Sequence, residues 1–291
     1  MELRFPLILD GATGTELQKH GYSGDVSMEQ WTLAHPDCIR ELQRGYVAAG
    51  SQVLYTPTFG GNAVRLAACG VTEDVAAYNR RLAALTQEAA GGRAMVAGDM
   101  APTGLFPPPL GDTSFELLVD AYAQQVAGLE AAGVDLYVIE TMISLSDARA
   151  AVLAVRAVTD KPIFVTFACD GNGRSISGTD ITAALAVLQD MGIDAFGLNC
   201  SAGAQMLPQL RRLRAYARVP LIAKPSAGLP TIVDGRAVYD CPPAAFAACV
   251  PAMLDSGVMI FGGCCGTTAA HIAALRRALY GGDLPEGHCG G

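Results

Sequence analysis

The sequence predicts a (β/α)8 barrel, a TIM barrel, built as a single domain over residues 1–291, and three observations carry that prediction. Eight short β-branched or aromatic runs alternate with longer Ala/Leu/Arg segments of helical character. Their starts are spaced by roughly 24 to 47 residues, room for one helix per strand. No charge run, Ser/Gly tract or short repeat marks a linker. An open doubly wound sheet is the alternative. Against it, Asp10-Gly11-Ala12-Thr13-Gly14-Thr15 after the first run lacks the G-x-G-x-x-G spacing of a dinucleotide-binding turn.

The expected strands are residues 5–9, 52–56, 94–98, 135–139, 163–167, 195–198, 219–223 and 258–261. Helix starts are equally readable. Thr113-Ser114-Phe115-Glu116 fits a capping box in which Glu116 reaches back to the Thr113 amide. Leu118, Ala121, Tyr122, Val126 and Leu129 then share one face, and Gly133 suits the position after the C-cap. Thr72 is expected to cap a helix with Glu73 and Asp74 in its first turn, ending at Gly91-Gly92. Ser146/Asp147, Thr179/Asp180 and Thr267/Thr268 mark further starts.

Composition excludes several classes. With 20 Lys+Arg against 28 Asp+Glu the net charge is −8, which disfavours nucleic acid, because phosphate binding needs a basic face. A chain that is 51% hydrophobic and 16% charged is not disordered. The longest charge-free apolar stretch near the end, 256–275, is broken by Gly262-Gly263-Cys264-Cys265-Gly266 and makes a poor membrane span. The start shows no basic n-region followed by an apolar h-region, so the expected compartment is the reducing cytoplasm. There, nine cysteines point to metal or catalysis before disulfides.

A barrel collects its chemistry at the carboxyl ends of its strands. Those ends read Asp10-Gly11-Ala12, Glu140-Thr141-Met142, Asn199-Cys200-Ser201, Lys224-Pro225 and Gly262-Gly263-Cys264-Cys265-Gly266-Thr267. Cys200, Cys264 and Cys265 thus converge on one rim and make a plausible Zn2+ site with its fourth position open. Three thiolates leave such a centre with formal charge −1, a weak Lewis acid toward water that still strips the proton from a bound thiol. The donor set suits alkylation of a thiol better than hydrolysis. The competing readings are buried structural thiols and a vicinal Cys264–Cys265 disulfide. Cys38, Cys69, Cys241 and Cys249 are read as core or incidental, and Cys169 as core with a chance of facing the site. His288 and Cys289 fall in a Gly-rich tail, from about residue 281, that reads as flexible.

Glu140 ends the apolar run 136–139, where a carboxylate is costly without a partner, so it is a candidate ammonium ligand or one half of a salt bridge. Asp10 binds an amine or caps the turn before Gly11. Backbone amides at Gly11-Ala12 and Gly262-Gly263 sit where a carboxylate can approach closely.

Residues 9–17 (Leu-Asp-Gly-Ala-Thr-Gly-Thr-Glu-Leu), Glu140-Thr141-Met142, Asn199-Cys200-Ser201 and Gly262-Gly263-Cys264-Cys265-Gly266-Thr267-Thr268 together resemble the homocysteine S-methyltransferase family, in the same order and from about residue 5 to 280. Residues 56–62, Lys224-Pro225-Ser226-Ala227-Gly228-Leu229-Pro230 and Gly266 after the cysteine pair make the chain most similar to the homocysteine-binding module of cobalamin-dependent methionine synthases. The resemblance implies a zinc-dependent barrel that methylates homocysteine to methionine, with Cys200, Cys264 and Cys265 as metal ligands. It further implies that Asp10 and Glu140 hold the substrate ammonium, that Gly11 and Ala12 hold its carboxylate, and that Asn199 shapes the pocket. Two departures stand out. Ser226 replaces an Asn, which puts the resting fourth ligand in question, and residues 98–104 replace a Gly-Ser-Ile-Gly-Pro-Thr-Gly stretch. If the chain ends naturally at Gly291, the methyl group comes from a partner such as a methylcobalamin-carrying corrinoid protein. Donors of the S-methylmethionine or betaine type, a selenol acceptor, a catalytically silent zinc subunit and a metal-free barrel enzyme are the alternatives.

Overall fold

Eight parallel strands surround an apolar interior in the computed structural model, which describes residues 3–233 and 236–281. They are β1 (Leu7–Ile8), β2 (Val53–Tyr55), β3 (Met95–Met100), β4 (Leu136–Met142), β5 (Ile163–Phe167), β6 (Ala195–Ala202), β7 (Leu221–Ser226) and β8 (Val258–Phe261). From β2 to β8 each strand pairs with its neighbour in sequence, and β8 pairs with β1. Between β1 and β2 the ladder gives way to two hydrogen bonds around Gln52. Its N–H donates to Ile8 O at 2.7 Å, and its Oε1 accepts from the Ile8 N–H at 2.9 Å. The barrel is therefore nearly closed, as the alternation of runs predicts. A short antiparallel hairpin, Thr231–Val233 with Arg236–Val238, is inserted between β7 and β8. Residues 282–291, including His288 and Cys289, lie outside the described residues.

Successive side chains of a strand face opposite sides. Leu7, Leu9, Val53, Tyr55, Met95, Ala97, Leu136, Val138, Phe164, Ala195, Ile222 and Ile260 fill the barrel interior as one cluster. Val96, Tyr137, Ile139, Val165 and Phe196 alternate with them and pack outward against the helices.

Strands β3, β4, β6 and β7 run two to four residues beyond their expected ends. The apolar signal stops at the first polar residue, but the backbone ladder continues: Asp99 pairs with Val138, and Asn199 with Lys224. Two caps also differ from expectation. The Thr113 amide donates to Phe106 O at 3.2 Å, so Glu116 does not close a box, and Ser114 caps helix Phe115–Ala131 by accepting from Leu117 N–H. Helix Val75–Ala90 is capped by Asp74, which accepts from Ala77 N–H at 2.8 Å, and not by Thr72. A carboxylate at the positive helix end offers an acceptor of full charge where a hydroxyl offers only a dipole. Ser144 caps helix Leu145–Arg156, which frees the Asp147 carboxylate for other partners. Asp180 and Thr268 sit at the N-caps expected of them, and Gly91 ends its helix in the left-handed conformation. No helix among the described residues is long and apolar enough to cross a membrane.

Candidate active site at the barrel rim

One step above the apolar layer, the inward positions of four strands carry Asp99, Glu140, Asn199 and Lys224, none more than 8% exposed. Lys224 is the hub. Its Nζ lies 3.3 Å from Asp10 Oδ1, 3.5 Å from Glu140 Oε2 and 3.8 Å from the centre of the Tyr55 ring. Burial works against the ammonium, but Glu140 and Asp10 outweigh it and hold the Lys224 pKa well above its usual value. Burial raises both the Asp10 and Glu140 pKa values, and Lys224 opposes the rise.

The thiols reach this layer by distortions of the strand ends. Alternation would turn Cys200 outward after inward-facing Asn199. Instead Cys200 adopts φ 58°, in the left-handed region, and the β6–β7 register shifts between Asn199 and Ala202. Thr141 does the same on β4 with φ 57°, where the β4–β5 register shifts between Ile139 and Met142. Non-glycine residues in that region cost of order 1 kcal/mol each, and such strain collects at functional sites. The two bulges meet. Asn199 Nδ2 donates to Thr141 Oγ1 at 2.6 Å, and that oxygen lies 3.9 Å from Cys200 Sγ.

Cys264 and Cys265 are fixed by backbone bonds to the neighbouring strand end: Cys264 N–H donates to Pro225 O at 2.7 Å, and Ala227 N–H to Cys265 O at 2.9 Å. Thr267 Oγ1 donates to Cys264 O at 2.7 Å. Gly266 is required here, since its φ is 76° and a Cβ would lie 2.3 Å from Tyr239.

Cys264 Sγ lies 2.9 Å from Cys200 Sγ and 4.0 Å from Cys265 Sγ, and the three sulfurs fall within 4.8 Å of one another. Tetrahedral zinc with sulfur at about 2.3 Å needs sulfur–sulfur edges of about 3.8 Å, inside that span. The chemistry of the thiols agrees. Donation from Cys200 and Cys264 lowers the Cys265 pKa, while hydrogen bonding to Cys200 and Cys265, and then burial, raise that of Cys264 well above its usual value. One thiolate forms readily and the next is resisted, so a divalent cation is what lets all three ionise together. The residues present fit such an ion. All eight described cysteines are free, and Cys264 Sγ and Cys265 Sγ stand 4.0 Å apart. Cys69 is exposed, whereas Cys169, Cys241 and Cys249 pack against the core.

A cavity of about 290 Å³ opens over the thiols, walled by residues 11–15, Tyr55, Phe59, Asp99, Glu140, Thr141 and Lys224. Of the expected site residues, Gly11, Ala12, Glu140 and the three cysteines reach this wall, whereas Asp10 and Asn199 lie behind it. Asp10 is 1% exposed, with Oδ2 accepting from Tyr55 N–H at 2.8 Å and Oδ1 facing Lys224. The expected amides are mostly engaged: Ala12 N–H donates to Thr267 Oγ1, Gly262 N–H to Ala223 O, and Gly263 N–H to Asp10 O. The Gly11 N–H has no acceptor among the described residues. Gly11 is also needed sterically, since a Cβ there would lie 2.7 Å from the Tyr46 ring. Lys224, Thr141 and Asp99 stand in strand-end segments named from the sequence, but the sequence assigns them no role. Alternation from Ile222 and Ala97 places Lys224 and Asp99 inward, but nothing local tells which carboxylate each one meets.

Fold and site together define a (β/α)8 barrel with a thiol cluster at its carboxyl rim. The chain belongs to the homocysteine S-methyltransferase family, whose sequence model matches residues 7–279. Methionine synthase of Mycobacterium leprae is 32% identical over 97% of the chain, and that of Mycobacterium tuberculosis 30% identical over 96%. The chain spans only 25% of the length of either relative. Among solved structures, the homocysteine methyltransferase MmuM of Escherichia coli superposes with TM-score 0.77 in its oxidized form, at 25% identity, covering 93% of this chain and 94% of that one. Its metallated form gives 0.76, with coverage of 93% and 95%.

Proposed function

We propose that this chain transfers a methyl group to the thiol of homocysteine, giving methionine, with Zn2+ held by Cys200, Cys264 and Cys265. The observation that carries this proposal is the convergence of three thiols from two strand ends on a pocket whose other wall bears carboxylates and an ammonium. When bound, the ion supplies the Lewis acidity that removes the proton from a substrate thiol. No general base from the chain is then required.

The protein's own residues bind and orient. Glu140, at the pocket wall, takes the substrate ammonium. Asp10 acts from behind the wall by fixing Lys224, which keeps Glu140 ionised inside a buried layer. The substrate carboxylate rests against the backbone of Gly11 and Ala12, where the Gly11 N–H is open to it. Asn199 shapes the pocket through Thr141, which in turn abuts Cys200. Free thiols suit the reducing cytoplasm.

For the donor, the resemblance of residues 56–62, 224–230 and Gly266 to the homocysteine-binding module of cobalamin-dependent methionine synthases favours a methylated corrinoid, such as methylcobalamin, in a pathway linked to 5-methyltetrahydrofolate. Replacing Cys264 by Ala abolishes both stoichiometric zinc and methyl transfer under this proposal; retention of both sinks it. Methionine formation measured with methylcobalamin, a methylated corrinoid protein, S-methylmethionine and betaine separates the donors. A silent zinc subunit would bind metal without homocysteine affinity, which calorimetry detects.

A further inference from the structure

We propose that Asp99 is the second carboxylate of the substrate-ammonium site and sets its preference for thiols that carry a protonated α-amine. The assignment rests on the homocysteine chemistry proposed above.

Asp99 follows Met95 and Ala97 on the inward face of β3, and its side chain lines the cavity. Its backbone is pinned on both sides. The N–H donates to Thr56 Oγ1 at 2.9 Å, and the carbonyl accepts from Thr58 Oγ1 at 2.7 Å and Gln125 Nε2 at 3.2 Å. The backbone that carries the carboxylate is therefore held in place, yet Asp99 is 4% exposed and its Oδ1 has no hydrogen-bond partner among the described residues. A buried acceptor left unmade costs about 1–3 kcal/mol, so the fold tolerates here something a ligand would satisfy.

The charge balance of the layer says which ligand. Asp10, Glu140 and Asp99 are three carboxylates, and Lys224 is the one lysine among them, already placed 3.3 Å from Asp10 and 3.5 Å from Glu140. Burial, and then the charge of Glu140, push the Asp99 pKa well above its ordinary value. A second cation entering the cavity restores the balance, and an amino-acid ammonium with its three donors bridges Glu140 and Asp99. A mercapto acid without the amine gains nothing from Asp99.

The test uses the full chain loaded with zinc, as wild type, Asp99→Asn and Asp99→Ser, titrated calorimetrically with homocysteine and with its des-amino analogue 4-sulfanylbutanoate. Both variants should bind homocysteine about ten-fold or more weakly, the weight of one charge-assisted hydrogen bond. The analogue should bind all three proteins within about two-fold, with zinc content unchanged. Homocysteine affinity unchanged in both variants, or equal losses for the two ligands, overturns the assignment. A wild type that binds the two ligands equally well overturns the ammonium site as a whole, Glu140 and Asp99 together, and leaves thiol binding at the metal standing. A wild type that binds neither ligand overturns the homocysteine proposal itself.

Discussion

The lower and upper halves of the barrel interior are built by the same eight strands and obey opposite rules. Below, Leu136, Phe164, Ala195, Ile222 and Ile260 meet with no polar atom among their side chains. Two residues further along, Val138 gives way to Glu140, Gly197 to Asn199, Ile222 to Lys224 and Ala97 to Asp99. The strand geometry does not change between the layers; the cost of burial does. Apolar side chains below gain from leaving water, at about 25 cal/mol per Å². Charges above lose their hydration and are tolerated only where they answer one another or a ligand. The lower layer is where the barrel is stable, and the upper layer is where its stability is given up for chemistry.

Mutations separate the two halves. In the upper layer, Cys264→Ala should remove stoichiometric zinc and all methyl transfer while leaving the fold cooperative, read by elemental analysis, activity and denaturant unfolding. In the lower layer, Phe164→Ala should do the reverse, costing about 3–5 kcal/mol in urea unfolding while the folded fraction still binds zinc. If Phe164→Ala loses zinc from the folded fraction, the two halves are not separable.

Lys224→Met tests whether charges in the upper layer answer one another. It strands Asp10 and Glu140 in a buried site and should cost about 3–5 kcal/mol near neutral pH. Without the lysine, both carboxyls need protons to remain folded, so their folded pKa values exceed the unfolded ones. The variant should thus be least impaired near pH 4 and lose stability as pH rises through those values. A cost independent of pH would point to lost packing instead.

Asp147 supplies a contrast, a buried carboxylate outside the barrel whose partners are all within the protein. It accepts from the Thr103 N–H at 3.0 Å, the Thr103 hydroxyl at 3.1 Å and the Tyr122 hydroxyl at 2.9 Å. Burial still pushes its pKa up to about 6 from 3.8. Its folded pKa lies above the unfolded one, so its protonation favours the fold, and that advantage fades as pH rises from about 4 to about 6. The stability of wild type relative to Asp147→Asn should therefore fall by about 3 kcal/mol across that window in parallel urea titrations. Homocysteine affinity should not change, in contrast to Asp99→Asn.

The barrel was legible in sequence because period-two and helical signals depend only on neighbouring residues. The three metal-ligand candidates were legible because they stand within a few residues of where an apolar strand run ends. Lys224 was not, because its meaning lies in Asp10 and Glu140, which are 214 and 84 residues away and meet it only across the barrel. Cys200 shows the limit from the other side. Alternation alone points it outward, and only the left-handed turn at φ 58° brings it to the cluster. The caps at Asp74 and Ser114 were each one of several adjacent acceptors, which local sequence does not rank.

Direct binding of the substrate's sulfur to a metal held by the thiol cluster can be measured on the ion itself. Zinc K-edge absorption on the loaded protein counts the sulfur neighbours of the ion with and without homocysteine. Three sulfurs are expected in the free protein and four with homocysteine bound. A count unchanged on adding saturating homocysteine, or purified protein that takes up no zinc, would contradict direct binding.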